Sequence, residues 1–335
     1  MIESAIPDHL LTPRTRHRRV PDDYAPPYPS YVARSATSVR QVVMAYLGLQ
    51  HDGDAPPPGL LAPLDAALAA ADGPGHHDRA RGDGETVTIA YWADPERFDR
   101  WWDAHRGSWL GDGVRDGHGR WAEVLRPTVE EHETLFSSTG RPEGVAVLAE
   151  GLSGEVREHG YWGGMRDRIP LSQTDAMAPV GEPVVERDGG RVRVRPQQAA
   201  CLIRSGQDWT DTDGAERAMY LEEVEPVLRA GMDFLRDEGS AVGCRTNRYL
   251  TVVEDGRPVD RTFGMSWWRS LDALERWSES HPTHVAIFGA AMRYPSTTGP
   301  SARLRLYHEV SVAAADEQYF EYVDCRPGTG LSGNG

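Results

Sequence analysis

Cysteine is scarce in this 335-residue sequence, and its three copies, Cys201, Cys244 and Cys325, are widely spaced with no CxxC pair. A disulfide framework needs paired cysteines and a cysteine-rich zinc site needs closely spaced ones, so neither is predicted. Unpaired thiols persist in a reducing compartment. We therefore expect a cytoplasmic protein.

Basic residues and long apolar runs are also few. Lysine and arginine together number 36 against 51 acidic residues, which gives a formal net charge of -15. Nucleic acids and anionic membranes are normally bound by clustered basic side chains, so neither is an expected partner. The sequence has no run of about eighteen apolar residues, the length that spans a membrane, and its first residues lack the apolar stretch of a signal peptide.

The first part of the sequence contains recognisable strand and helix patterns. Residues 1–30 are basic and then proline-rich, which predicts an extended N-terminal arm on the surface. Residues 42–50 are an apolar run of strand length, LLAPLDAALAAAD indicates a helix, and GPGHHDRARGDG is typical of an exposed loop. Residues 86–92 alternate like a strand, and Asp94 followed by Pro95 predicts a helix start.

Two stretches far apart in the sequence share one spacing. Each combines the end of a predicted strand, a capping side chain and a helix with an Arg-Trp pair. The matched residues are Trp92, Asp94, Phe98, Arg100, Trp101 and His105 in the first stretch, and Trp268, Ser270, Leu274, Arg276, Trp277 and His281 in the second. Six matches within fourteen positions predict an internal duplication.

The middle of the sequence is rich in strand signals. RWAEVLRP, HETLFSS and GVAVLAEG each have a strand pattern, whereas the glycines and prolines of residues 153–175 make a long helix there unfavourable. If this segment is extended, Arg166 and Arg168 point the same way. Ser205 follows the apolar run 199–203 at its predicted end, where a catalytic hydroxyl and a simple turn residue both remain open interpretations.

The last third of the sequence combines helices with a hairpin. Residues 212–238 form the longest helical pattern, which Pro226 should kink or divide. YLTVVED and RTFGMSWW predict a hairpin through the turn DGRP, and AAADEQYFEYVDC predicts a short helix and a strand. YPSTTGPS, residues 294–301, is predicted as a loop.

Two histidines in this region lie on different predicted elements. His284 follows the helical pattern 271–279, and His308 lies on a strand, on the same face as Leu304 and Leu306. A histidine on the leucine face of a strand points inward. Two imidazoles from different elements suit a metal or haem centre, while ordinary core or surface histidines are the alternative.

Five motifs in one order, EHGYWGGMRDR, IRSGQDW, MDFLRD, LERWSESHPTH and LRLYHEVSV, resemble the aldoxime dehydratases, haem proteins that convert aldoximes to nitriles. ESAI and RRVPDDYAPPYP extend this resemblance over most of the sequence. It implies an α+β fold in which two tandem ferredoxin-like halves form a dimeric-α/β-barrel-type haem domain. Residues 1–30 are then an arm, 31–325 a single domain with halves of about 31–200 and 201–325, and 326–335 a disordered tail. We also expect a homodimer.

The resemblance further implies roles for five residues. His284 resembles the proximal ligand of haem b iron, with His281 as a neighbour, and His308 resembles the distal acid/base. Arg168 and Ser205 resemble its partners around the aldoxime. Glu133 matches a carboxylate of the distal proton network.

These residue types suit the chemistry that the resemblance implies. A neutral proximal imidazole leaves one axial position of a ferrous haem open to the aldoxime nitrogen. His308 protonates the leaving hydroxyl and then accepts the proton from the aldoxime carbon, while Ser205 holds the oxime oxygen and Arg168 stabilises charge there. Aliphatic and arylaliphatic aldoximes are equally open. The alternatives are a haem sensor with two axial histidines, a peroxidase-like oxidoreductase, and an α+β barrel without a cofactor.

Overall fold

The architecture is a mixed α/β fold built on antiparallel strands. The computed structural model describes residues 2–114, 116–299 and 302–333. In chain order the strands are β1 (Ala33–Arg34), β2 (Val43–Gln50), β3 (His76–Gly82), β4 (Glu85–Trp92), β5 (Arg120–Leu125), β6 (His132–Phe136), β7 (Gly151–Leu152), β8 (Val184–Asp188), β9 (Arg191–Arg195), β10 (Ala200–Asp208), β11 (Cys244–Glu254), β12 (Arg257–Trp268), β13 (Arg305–Ala313) and β14 (Gln318–Val323). The α-helices are α1 (Ala62–Leu68), α2 (Pro95–Leu110), α3 (Gly164–Arg168), α4 (Gly214–Met219), α5 (Glu225–Asp237), α6 (Leu271–Ser280) and α7 (Pro282–Thr298). Among the residues so described, no helix combines the length and the apolar character needed to cross a bilayer.

Two parts of the chain repeat one order of elements. The first unit runs β2, α1, β3, β4, α2, β5, and the second runs β10, α4 with α5, β11, β12, α6 with α7, β13. Their strands have equivalent neighbours, β3-β4-β2-β5 in the first unit and β11-β12-β10-β13 in the second. Asp94 and Ser270 both cap the helix that follows the third strand, by accepting backbone N–H groups. Five of the six matched pairs therefore lie at equivalent places, at the strand end, the cap and three helix positions. The sixth pair does not, since His105 lies within α2 whereas His281 follows the end of α6.

One curled twelve-stranded sheet joins the two units through β11 and β3. Strands outside the units are exchanged between them, because β6 pairs with β13 of the second unit and β14 pairs with β5 of the first. The concave face buries side chains of both units in one core, including Tyr91, Leu125, Met265 and Trp267. The units are thus packed face to face rather than simply linked in sequence.

Helices cover the outer face of each unit. Helices α1 and α2 pack on the first unit around Trp92 and Trp101. On the second unit, α5 and α6 pack on β10 and β13, with Ile287 of α7 at the border of the same apolar layer. This second layer carries the candidate site.

The structure corrects three predicted loops or strands. The predicted loop GPGHHDRARGDG contains β3, which pairs with β4 from His76 opposite Tyr91. The predicted strand in GVAVLAEG is a 3-10 helix, Gly144–Leu148. The predicted loop 294–301 is helical up to Thr298. Tyr294 is buried against the neighbouring helix, and this packing outweighs the effect of the proline that follows it. Residues 300 and 301 lie outside the described chain.

The predicted disordered tail is ordered in its described part, residues 326–333. The Leu331 side chain is 3% exposed in the main core, and its backbone N–H donates to the Tyr322 hydroxyl. The Arg326 N–H donates to the Gln50 side chain. The composition of this segment resembles a disordered tail, but one buried leucine and these hydrogen bonds attach it to the sheet. Residues 334 and 335 lie outside the described chain.

Candidate active site

A glutamate on β6, an arginine at the end of α3 and a histidine on β13 form one hydrogen-bonded cluster, here called the His308 cluster. The Arg168 guanidinium donates two parallel hydrogen bonds to the Glu133 carboxylate, from Nε to Oε2 at 2.7 Å and from Nη2 to Oε1 at 3.0 Å. Nε2 of His308 lies 3.0 Å from Oε1 of Glu133 and 2.8 Å from Nη2 of Arg168. The His308 side chain is 21% exposed and the other two are almost fully covered. Of the three, only the imidazole is available to an incoming molecule.

Electrostatics within the cluster keep the carboxylate ionised. Burial alone would raise the pKa of Glu133, but the charges and hydrogen bonds of Arg168 and His308 outweigh it and lower the pKa to about 2. When Nε2 of His308 carries a proton it donates to Glu133, and when it does not it accepts from Arg168. Nδ1 has no hydrogen-bond partner among the described residues. The ring is therefore anchored through Nε2, and Nδ1 is available for proton exchange.

Ser205 is the direct neighbour of His308 across two paired strands. In the antiparallel pair of β10 and β13, Ser205 lies opposite His308 and Arg204 lies opposite Glu309. Arg204 and Glu309 both contact Tyr91 in the core, so Ser205 and His308 face the other side, towards the helices. Ser205 lies in the middle of β10 and not at its end, which corrects the sequence prediction.

Arg166 and Arg168 do not share a direction, contrary to the prediction for an extended segment. Both lie on α3, where 3.6 residues per turn place positions two apart on nearly opposite sides. Arg166 donates to Glu275 and Asp272 of α6, whereas Arg168 reaches the His308 cluster. Only the second arginine therefore takes part in the candidate site.

His284 lies in the first turn of α7, separate from the His308 cluster. Its Nδ1 donates to the Ser278 carbonyl at 2.7 Å, and its ring packs edge-on against Trp277 and Trp162, with centroids 4.7 and 5.9 Å apart. Burial lowers the pKa of His284 to about 4 although the hydrogen bond opposes this shift. The imidazole is therefore neutral at pH 7, with its proton on Nδ1 and the lone pair of Nε2 free to bind a metal.

His281 has a different environment from His284. Its Nδ1 contacts the Thr283 hydroxyl at 2.9 Å, and its ring stacks on Phe234 at 4.4 Å. It is fixed between α5 and the start of α7. The two histidines therefore differ in their hydrogen-bond partners and in the aromatic rings that they contact.

The residues around His284 fit a haem group. An axial histidine normally donates its second ring nitrogen to a carbonyl or carboxylate, which fixes the tautomer, and Ser278 supplies that acceptor. The helix that bears His284 is largely apolar, and Val285 next to it is 48% exposed while Trp162 across from it is 37% exposed. Apolar surface of this kind is what a porphyrin covers. The donor is a single neutral imidazole, which is the usual proximal ligand of a haem enzyme.

Two residues that hold the cluster in place were not singled out from the sequence. The Glu158 backbone carbonyl accepts Nη1 of Arg168 at 2.6 Å, and Asp167 precedes Arg168 with its carboxylate buried. Both belong to the motif EHGYWGGMRDR. Two acidic residues so close to Arg168 in the sequence indicate a role in holding it. Their partners lie about 150 residues away, however, and sequence spacing gives no information at that distance.

Three comparisons identify the proteins that this chain resembles. Residues 45–331 match a family model described as haem-containing dehydratase. The chain is 46% identical to an aliphatic aldoxime dehydratase of Rhodococcus erythropolis, with 98% of this chain and 97% of that protein covered. It is 32% identical to a phenylacetaldoxime dehydratase of Bacillus sp. (strain OxB-1), with 94% and 93% covered. The fold matches the crystal structure of an aldoxime dehydratase in complex with butyraldoxime with a TM-score of 0.93, at 45% identity over 99% of this chain and 96% of that one.

Proposed function

The chain belongs to the haem-containing dehydratase family, and we propose on that premise that it is an aldoxime dehydratase, a lyase that converts R-CH=N-OH to a nitrile and water. The observation that carries the proposal is the His308 cluster beside Ser205, together with a neutral His284 on a separate helix. An acid/base group, a hydroxyl donor and an axial ligand are the three functions that this reaction requires of a protein.

His308 moves both protons of the reaction. As imidazolium it donates a proton to the oxime hydroxyl, the N–O bond breaks with its electron pair on oxygen, and water leaves. The neutral ring then takes the proton from the aldoxime carbon, and the C–H electron pair becomes the third bond between carbon and nitrogen. One aldoxime gives one nitrile and one water with no net electron transfer, and the imidazolium is regenerated.

The neighbours of His308 prepare it for these two steps. Glu133 accepts from Nε2 and stabilises the imidazolium, as a buried carboxylate does for the histidine of a catalytic triad. Ser205, on the same face of the sheet, donates to the oxime oxygen. The guanidinium of Arg168 is occupied by Glu133, the Glu158 carbonyl and His308, so it orients the cluster and contributes positive charge beside the leaving oxygen.

The proposed cofactor is haem b in its ferrous state, which His284 would hold through Nε2 of its imidazole. When bound, it supplies an iron that attracts the oxime nitrogen and polarises the C=N bond. His284 is prepared for this task by burial, by the hydrogen bond to Ser278 and by contact with Trp277. These residues fix the ring before any ligand arrives.

The finer features of the architecture are also proposals. The two ferredoxin-like halves, about 31–200 and 201–325, are supported by the repeated β-α-β-β-α-β order and the equivalent strand neighbours. We propose a dimeric-α/β-barrel-type domain and a homodimer on the basis of the family resemblance, and a cytoplasmic location from the three free cysteines. Light scattering of the purified holoprotein tests the homodimer.

The proposed substrates are aliphatic aldoximes first and arylaliphatic ones second. The chain is 46% identical to an aliphatic aldoxime dehydratase but 32% identical to a phenylacetaldoxime dehydratase. The order of preference is open to direct measurement with two aldoximes.

The test is an anaerobic assay of the haem-loaded, dithionite-reduced protein with butyraldoxime and with phenylacetaldoxime. We expect nitrile from both, faster from butyraldoxime, and none from heat-denatured protein with the same haem content. Absence of nitrile with full haem loading would reject the proposal. Peroxide-dependent turnover instead would indicate the oxidoreductase alternative, and a spectrum of two axial histidines would indicate a sensor.

A further inference from the structure

The N-terminal arm, described here for residues 2–30, is bound to the segment that carries Arg168. The buried Asp167 carboxylate accepts the backbone N–H of Arg19 at 2.8 and 3.1 Å and that of Val20 at 2.8 Å. It also accepts the Tyr161 hydroxyl at 2.9 Å. The residue directly before Arg168 is thus an acceptor for three donors, two of which belong to the arm.

Glu158 is the second link between the arm and Arg168. Its backbone carbonyl accepts Nη1 of Arg168 at 2.6 Å, and its buried carboxylate accepts the backbone N–H of Ala5 at 2.8 Å. The next carbonyl, of His159, accepts the Tyr24 hydroxyl at 2.8 Å. The arm therefore holds both the turn that bears Arg168 and the carbonyl that orients its guanidinium.

The turn that bears Arg168 has little stability of its own. Helix α3 is five residues long, and a helix of one turn does not form without tertiary contacts. Gly163 precedes it with a positive φ of 96°, and Gly164 is its first residue, so the backbone there is permissive. The position of Arg168 consequently depends on the groups that hold α3 from outside.

We infer that Asp167 is a positioning residue, through which the N-terminal arm holds Arg168 and thereby His308 in the geometry for proton transfer. The kinetic part of this inference rests on the proposed function. In Asp167→Asn one of the two carboxylate oxygens becomes an NH2 group, which cannot accept, so the hydrogen bonds from Arg19 and Val20 are weakened. Helix α3 is then freer to shift, and the 2.8 Å contact between Arg168 and His308 loosens. Displacements of about 1 Å cost up to 100-fold in rate, so the loss should appear in kcat.

The experiment is a double-mutant cycle on the holoenzyme. Asp167→Asn is measured in the wild type and in an Arg168→Gln background, and Asp175→Asn is the matched control. Asp175 lies on the same segment and accepts a backbone N–H, that of Met177, but this donor is not in the arm. Asp167→Asn should lower kcat about 10-fold in the wild type with little change in KM or in the Soret band, and less than about two-fold in the Arg168→Gln background, because coupled residues are not additive.

A purely structural role of Asp167 predicts a different result. The fall in kcat would then be equal in both backgrounds, and that outcome overturns the inference, as does an unchanged kcat. If Asp167→Asn does not fold, Tyr161→Phe removes one of the three donors to the same carboxylate and should give a smaller fall with the same dependence on Arg168.

A measurement that needs no turnover separates this inference from the proposed function. Hydrogen–deuterium exchange should be faster in peptides covering residues 17–22 and 157–170 of Asp167→Asn than in those of Asp175→Asn. Unchanged exchange in both peptides overturns the inference even if the enzyme makes nitrile. Faster exchange in a protein that makes no nitrile supports the link between the arm and Arg168 while rejecting the proposed function.

Discussion

A single substitution at His284 tests the assignment of the axial ligand. His284→Ala removes the one neutral imidazole held by Ser278 and Trp277, so the variant should lose most of its bound haem, measured as Soret absorbance per protein. His281→Ala is the matched control, because His281 contacts Thr283 and Phe234 instead and should leave the haem content near the wild-type level. Full haem retention with an unchanged spectrum in His284→Ala would exclude this ligand.

His308→Ala should separate binding from turnover. His284 and its contacts do not involve His308, so the variant should bind haem and still give a spectral shift with aldoxime. Turnover should fall about 100-fold or more, because positioned acid/base groups contribute factors of this order. Near-normal kcat at full haem loading would remove His308 from the mechanism.

Glu133 gives a prediction on the pH dependence of stability. Its pKa of about 2 in the folded protein, held down by Arg168 and His308 against the effect of burial, lies below the unfolded value of about 4.3. The ionised carboxylate therefore stabilises the fold fully above about pH 5, and this contribution is lost as the pH falls from about 4 towards 2. Urea unfolding of Glu133→Gln should show its largest deficit against the wild type near pH 7 and a narrowing deficit below about pH 4. A deficit independent of pH would contradict this account.

At the scale of elements, the sequence predicts helices and strands well where a local pattern determines them. It predicts them poorly where contacts between distant residues determine them. The apolar run at residues 42–50 and the cap at Asp94 are local signals, and β2 and α2 form as predicted. Pro226 divides the long helical pattern, with a π-helical turn, Tyr220–Val224, between α4 and α5. β3 was predicted as a loop because its strand character comes from pairing with β4 and not from its own polar residues.

The candidate site also combines features that a local pattern predicts with features that depend on distant contacts. The inward direction of His308 is readable from the strand period, but its pairing with Ser205 depends on the register of β10 and β13. The Glu133–Arg168 pair joins residues 35 apart, and sequence spacing alone does not bring them together. Family resemblance supplied what local physics did not.

A buried tyrosine links three strands behind the site. The Tyr91 hydroxyl on β4 donates to Oε1 of Glu309 on β13 at 2.5 Å and accepts from Nη1 of Arg204 on β10 at 3.0 Å. Tyr91→Phe leaves a buried carboxylate and a buried guanidinium each short of one partner, which costs about 1–3 kcal/mol. Urea unfolding measures the loss, and a change below about 0.5 kcal/mol would show that the strands need no such link.

At the scale of the whole molecule, every basic side chain of this lysine-free sequence is an arginine or a histidine. Arginine suits buried pairing because its planar fork matches a carboxylate. Arg248 on β11 of the second unit makes such pairs with the first unit, because its guanidinium donates to Glu85 and Glu123. The same guanidinium lies 4.0 Å from the Trp121 ring centroid. The two halves of the sheet are therefore joined by buried ion pairs as well as by apolar packing.

Residues 326–333, which follow β14, pack against the main core through Leu331. Truncation of this side chain should therefore lower the stability of the whole protein. Leu331→Ala deletes a side chain that is 3% exposed among residues of both units, and a buried change of this type costs about 2–5 kcal/mol. Leu11→Ala is the control, since Leu11 is 52% exposed and should change stability by less than about 0.5 kcal/mol. The free energy of unfolding in urea distinguishes them. Equal stability of the two variants would mean that the buried Leu331 side chain does not stabilise the fold.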